Sequence, residues 1–233
     1  MKKLTFVALS LIVMTACTSP EPDMTVSVSV AALKKGTLYL EKVQDSVLVA
    51  VDSVQVSREE TVSLAANLDH PELFYLVLDK KGGNPEDNRI PFFGDYGTVT
   101  INTRLERFAT DAVVTGSNTH DLHDSYLRIA KRFNEEELDL IAQYFRAQQS
   151  NNADSLSLLE QQSERLAKRR ILFTVNFAVN NSQSVLAPYL ALTELNDIQP
   201  ALLDTIAKSM TPEVASTKYG TLLTAYVEEI KAQ

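Results

Sequence analysis

Apolar residues recur at every second position from Val26 to about Thr115, and three and four apart after Gly116. The first spacing belongs to strands with one buried face and the second to amphipathic helices. Val26, Val28 and Val30 open the alternation, Leu38 and Leu40 follow Gly36, and Val47, Val49 and Val51 lead into Asp52-Ser53-Val54-Gln55-Val56. Further strands are expected at Thr61 to Ala65, Leu73 to Leu78, Ile90 to Phe93, Thr98 to Asn102 and Ala112 to Thr115. Asp69-His70-Pro71, Lys81-Gly82-Gly83-Asn84-Pro85 and Gly94-Asp95-Tyr96-Gly97 separate them with residues that accept positive φ or hold it near −65°. Short strands at this spacing predict an antiparallel β-sandwich or open barrel over 26–116. An α-helical domain over 117–233 completes an α+β chain.

In the helical half, Leu122, Tyr126, Ile129, Ala130 and Phe133 share one face, as do Leu138, Ile141, Tyr144 and Phe145. Lys131-Arg132-Phe133-Asn134-Glu135-Glu136-Glu137 lies between them. Basic residues suit a helix end and acidic residues a helix start, so the pattern admits either a hinge at Asn134 or one continuous helix. Asn151-Asn152-Ala153-Asp154 opens a long helix reaching Asn180, with Leu156, Leu159, Leu166, Phe173 and Phe177 on one face. Pro200 and Pro212 mark two more starts, the second behind the capping hydroxyl of Thr211. The last apolar face runs through Tyr219, Leu222, Leu223, Tyr226 and Ile230.

Residues 1–16 fit neither period. Lys2 and Lys3 precede an apolar run from Leu4 to Met14, then Thr15-Ala16-Cys17, the layout of a secretory signal ending in a lipobox. The run is about half the roughly 20 residues a spanning helix needs. Cleavage between Ala16 and Cys17 is expected, with Cys17 as the lipid attachment site. The alternative is a free thiol in a secreted protein cleaved near Ala16. Because acyl burial contributes about 0.8 kcal/mol per methylene, two or three chains hold a protein at a membrane where one does not. Residues 17–25 then form a lipidated tether containing Pro20 and Pro22. Thr18, where Asp would signal inner-membrane retention, points to an outer-membrane lipoprotein facing the periplasm or the cell surface.

Cys17 is the only cysteine of the 233 residues, so no disulfide is expected to staple the fold. Loss of Lys2 and Lys3 takes the formal net charge from −8 to −10. That balance argues against nucleic acid, since neutralising phosphates requires clustered Lys and Arg. Lys168-Arg169-Arg170 is the one dense basic cluster, and acidic neighbours make it a solvated helix face. No phosphate loop, dinucleotide fingerprint or nucleophile elbow is present, and no cofactor is expected.

Three constellations carry candidate chemistry. His120, His123 and Asp124 stand three and four apart, a spacing that places metal ligands on one helical face, although a solvated first turn explains it as well. Phe92 and Phe93 beside Tyr96 form a candidate ligand-binding patch, with core packing as the competing reading. Asp52-Ser53 suggests an acid beside a nucleophile, but no His is near in sequence. A carboxylate bonding neighbouring backbone is the simpler account, with His70 a turn residue.

Several segments, in order, resemble the 4369 domain-of-unknown-function family of Bacteroidetes-type envelope lipoproteins. They are Gly36-Thr37-Leu38-Tyr39-Leu40, Val51-Asp52-Ser53-Val54-Gln55-Val56, Pro71-Glu72-Leu73-Phe74-Tyr75-Leu76, Gly97-Thr98-Val99-Thr100-Ile101 and Val113-Val114-Thr115-Gly116-Ser117-Asn118. Asn180 to Ser184 and Ser216 to Gly220 resemble the linker that follows. In that family the domain usually precedes a thioredoxin-like oxidoreductase domain, expected to begin about where this sequence ends. There is no Cys-x-x-Cys here, so the resemblance brings no redox chemistry to these residues. A second departure is Ser57-Arg58-Glu59-Glu60-Thr61 in place of the family's Gly-x-Phe hairpin turn.

Together these observations predict a cell-envelope lipoprotein acting as a non-catalytic binding or assembly module. Its expected partners are the membrane, through the lipid, and an envelope protein. Two other classes remain open: an accessory acting in trans with a thioredoxin-like protein, and a hydrolase whose His70, His120 or His123 meets carboxylates in a cleft between the halves.

Overall fold

The computed structural model describes residues 21–58, 60–79, 85–195 and 198–232. The signal segment, the Ala16–Cys17 junction and most of the tether lie outside the described residues, as does the expected turn at 81–84.

Two four-stranded sheets form the first half. One has the order β4-β1-β7-β8, from Val62–Ala66, Met24–Ala31, Gly97–Arg104 and Val113–Thr115. The other has the order β3-β2-β5-β6, from Val47–Ser57, Lys35–Gln44, Glu72–Leu78 and Arg89–Gly94. The sheets do not close into a barrel. Alternation places Met24, Val26 and Val28 of β1 opposite Leu38, Leu40, Phe74, Leu76 and Phe92 of the second sheet, all within one buried cluster.

The expected all-antiparallel arrangement needs one correction: β1 and β7 run parallel, with Met24 opposite Gly97 and Ala31 opposite Arg104. Parallel neighbours require a crossover, and here the crossover contains the second sheet. The expected hairpin near Ser57 is also different. The chain there leaves the second sheet and enters the first at β4, with Arg58 at φ 69°.

The second half begins at α1, Asn118–Gln149, one unbroken helix of 32 residues, which decides the open question at Asn134. It pairs with α2, Ala153–Asn180, so that Tyr126, Phe133, Leu140 and Ala147, seven apart, meet Leu159, Leu166 and Phe173 at the same spacing. α3 (Leu186–Glu194), α4 (Pro200–Ser209), the single turn α5 (Pro212–Ala215) and α6 (Lys218–Lys231) pack around the end of α2. Thr211 and Thr217 cap α5 and α6 separately, so the expected last helix is two. The far half of the α1–α2 hairpin has only its own small cluster of Leu140, Ala147, Leu159 and Leu166.

Gly116 fixes the handover from sheet to helix. Its φ is +89°, and a Cβ there would stand 2.3 Å from the Thr98 carbonyl oxygen of β7. Gly97 has a similar φ of +95° with open space around it. Gly97→Ala is therefore expected to cost about 1–2 kcal/mol of backbone strain alone. Gly116→Ala should cost at least about 1 kcal/mol more from the clash. Urea unfolding of the two variants measures the difference.

Candidate binding surface at the junction of sheet and helices

β6 joins the two halves because its neighbouring phenylalanines point to opposite faces. Phe92 enters the sandwich and stacks on Phe74 at 6.0 Å. Phe93 enters the helices and meets His123 and Tyr189 edge-on at 5.2 and 5.0 Å. Both are buried, whereas Tyr96 is exposed and its hydroxyl donates to the Asp69 carbonyl at 2.9 Å. The structure thus does not assemble Phe92, Phe93 and Tyr96 into one ligand-facing patch. Alternation identified one inward phenylalanine, but the helices cover the second face as well.

Around Phe93 lie Tyr126, Ala130, Leu186 and Leu190, bordered by Leu73, Phe173, Phe177, Tyr189 and Tyr219. Polar bonds tie this core to the strands. The Leu73 N–H donates to the Tyr219 hydroxyl at 3.1 Å, and the Phe93 N–H donates to His120 Nδ1 at 3.4 Å. Burial raises the pKa of the Tyr219 hydroxyl, and it does the same for Tyr126 and Tyr189, so all three keep their protons at neutral pH. At the start of α1, Ser117 Oγ accepts from the His120 N–H, while Asp95 accepts from the Thr119 N–H and hydroxyl at 3.2 and 3.1 Å. A carboxylate at this position also favours the positive end of the helix dipole.

This geometry gives the histidines structural work. His120 Nδ1 accepts a backbone proton, and Nε2 stands 3.7 Å from Asp124. His123 packs against the rings of Phe93 and Tyr189. Among the described residues, no group of three or more His, Cys, Asp or Glu side chains could hold a metal ion. Burial lowers the pKa of both rings, against the opposing pull of Asp124, and His120 adds to the lowering at His123.

Two shallow grooves run along the seam. The larger, about 560 Å³, lies between the β2–β3 turn and the start of α6 and is lined by Lys42, Asp45, His70, Glu72 and Lys218 among others. Glu72 accepts from Lys42 at 2.6 Å and pairs with Lys218 at 3.4 Å, and Lys218 also donates to the Val43 carbonyl. The smaller groove, about 340 Å³, continues past His70 and Pro71 to Tyr96 and Leu122. Burial and then the negative field of Asp23, Asp69, Asp95 and Glu213 raise the Tyr96 pKa, which marks this rim as acidic. Neither His120 nor His123 lines either of these two grooves.

The other sequence candidates fall on backbone and surface. Asp52 accepts from the Ala65 N–H of β4 at 2.8 Å and from the Ser53 N–H, the bonding expected of it. In the basic cluster, Arg169 forks onto Glu136 at 2.7 and 3.3 Å, and Arg170 pairs with Glu194 at 3.2 Å. No described helix is long and apolar enough to cross a membrane. Of Tyr219 and Tyr189, which complete the junction, the sequence marked only Tyr219, through an apolar helical face and the Ser216 to Gly220 segment, and neither as part of a site.

The family described as domain of unknown function (DUF4369) matches residues 24–123. The matched stretch contains every described strand, the Phe92–Phe93 pair and the start of α1 with both histidines. No curated protein matches the chain.

The two histidines give the junction an acid dependence. Their folded pKa values lie below the ordinary value near 6.5, so the unfolded chain binds the extra protons first as pH falls. The stabilisation is complete above about pH 6.5 and is lost as pH falls through the lowered values. Melting temperature should therefore drop on acidification from pH 7 to 5. The double variant His120→Asn, His123→Phe, which keeps an acceptor for Phe93 and a ring beside it, should drop less.

Proposed function

We propose that the protein is a cell-envelope lipoprotein, held at the outer membrane through lipidated Cys17, whose folded body serves as a non-catalytic binding or assembly module. The observation that carries this reading is the order Lys2-Lys3, apolar run, Thr15-Ala16-Cys17 at the N-terminus. A partner of the body would be an envelope protein.

The shape of the α1–α2 arm supports the binding half of the reading. Leu138, Ile141 and Phe145 recur along α1 on a face that does not meet α2, and Leu138 and Phe145 are 65% and 57% exposed. Apolar side chains grouped along one helical face of a projecting hairpin are costly in water and suit a protein partner. The acidic surface suits partners other than nucleic acid.

Two experiments test the two halves. Cys17→Ala should abolish incorporation of labelled fatty acid and release the chain from membranes; retention of both would overturn the anchor. Isolation of partners from detergent-solubilised envelopes, repeated with the Leu138→Lys, Phe145→Lys double variant, should lose the specific partner while the melting temperature stays within a few degrees. Turnover of a small substrate by the purified chain would overturn the non-catalytic assignment.

A further inference from the structure

Leu73 and Phe93 stand opposite one another in the β5–β6 ladder, and each gives its N–H to a helix instead of to the other strand. The Leu73 N–H goes to the Tyr219 hydroxyl of α6, and the Phe93 N–H goes to His120 Nδ1 of α1. β6 is the outermost strand of its sheet, so His120 covers the sheet edge at Phe93. The two acceptors differ in one respect. Tyr219 keeps the same form from neutral to acid pH, because burial holds its proton on. His120 accepts through a bare ring nitrogen, and acid places a proton on that atom.

A proton on Nδ1 sets two donors against each other where His120 is 8% exposed, and leaves the Phe93 amide without an acceptor. The charges around the two rings come from several elements. On α1, Asp124 at 3.7 Å from Nε2 and Asp121 favour the charged form of His120, and the two rings oppose each other's charge. On α3, Glu194 favours the charged form of His123, and Arg170 of α2 pairs with that carboxylate. β6 presents the Phe93 ring and backbone, and the β6–β7 turn presents Asp95, which bonds Thr119. Asp124 is 56% exposed, and an exposed pair four residues apart gains less than a buried amide loses with its acceptor. Burial outweighs the carboxylates at both rings and lowers their pKa values.

The turns of α1 that carry these rings also line the smaller groove, through Asn118, Thr119 and Leu122. His120 and His123 lie behind them, against Phe93. We propose that residues 118–123 form an acid-released latch: protonation of His120 separates them from β6 and joins the smaller groove to the aromatic rings of Phe93 and Tyr189. Asp95 holds Thr119 at the helix start, so the movement is a tilt about that cap. Tyr219 keeps α6 on β5 throughout, so the opening is local. A released histidine binds its proton near the ordinary value of about 6.5 and a seated one below it. Opening therefore grows as pH falls below about 6.5, by up to about tenfold per pH unit for each histidine released.

Amide hydrogen exchange in the purified full chain tests the latch, with each protection taken against the unfolded chain at the same pH. Phe93 should be at least about tenfold less protected than Ile101, in the interior of the other sheet, and its exchange should not respond to low urea that speeds exchange at Ile101. From about pH 7.5 to about pH 5.5, Phe93 protection should fall at least about fivefold. The double variant His120→Asn, His123→Phe should hold that change below about twofold, whereas His123→Phe alone should keep a fall of at least about threefold. His120→Ala, which supplies no acceptor, should leave Phe93 poorly protected at both pH values while Ile101 stays protected. Phe93 exchanging at the rate of Ile101, no fall with acid, an equal fall in the double variant, or loss of the fall in His123→Phe alone would each overturn the latch.

Discussion

The opposed burial of Phe92 and Phe93 on β6 is the contact on which the rest depends. One strand supplies a ring to the sandwich core and the next ring to the helical core, so neither half keeps its packing if β6 shifts by a residue. Gly94 makes that placement possible, because any Cβ there would stand 2.7 Å from both Met24 and Phe74. The backbone bonds from Leu73 to Tyr219 and from Phe93 to His120 then hold α6 and α1 against the same sheet. The seam is a packed interior instead of a hinge between two independent bodies.

Period carried most of the architecture. Alternation located most strands to within a residue or two, since each inward row at Met24, Val26, Val28 or at Phe74, Leu76, Leu78 has a partner row across one core, while β2 runs four residues past Leu40. Spacing likewise located α1 and α2, and Pro200 and Pro212 start helices as their fixed φ predicts. Strand direction was not legible, because a side chain alternates in the same way in parallel and antiparallel ladders. α3 was missed for a different reason. Leu186, Ala187, Pro188, Leu190 and Ala191 are buried around its circumference, among α1, α2, α4 and α6, and a helix apolar on every side has no periodic signal.

The candidate site was legible as residues but not as a surface. His120 and His123 were visible by spacing, yet their roles come from Phe93, 27 and 30 positions earlier, which a one-dimensional pattern does not bring near. The larger groove owes its charge to Lys42, Glu72 and Lys218, a set brought together from two strands and a helix. What alternation did disclose, in hindsight, is the surplus of apolar residues on β3. Val47 to Val51 fits a strand but fills no core.

The parallel partnership of β1 and β7 has a consequence for how the chain reaches this state. β1 lies in the interior of its sheet, between β4 and a strand whose residues follow it by 73 positions, from Met24 to Gly97. Until those later residues leave the ribosome, the first strand can pair on one side only, with β4. Completing its sheet then waits on a long-range closure, the slow kind, so the first of the described strands is among the last to be locked in place.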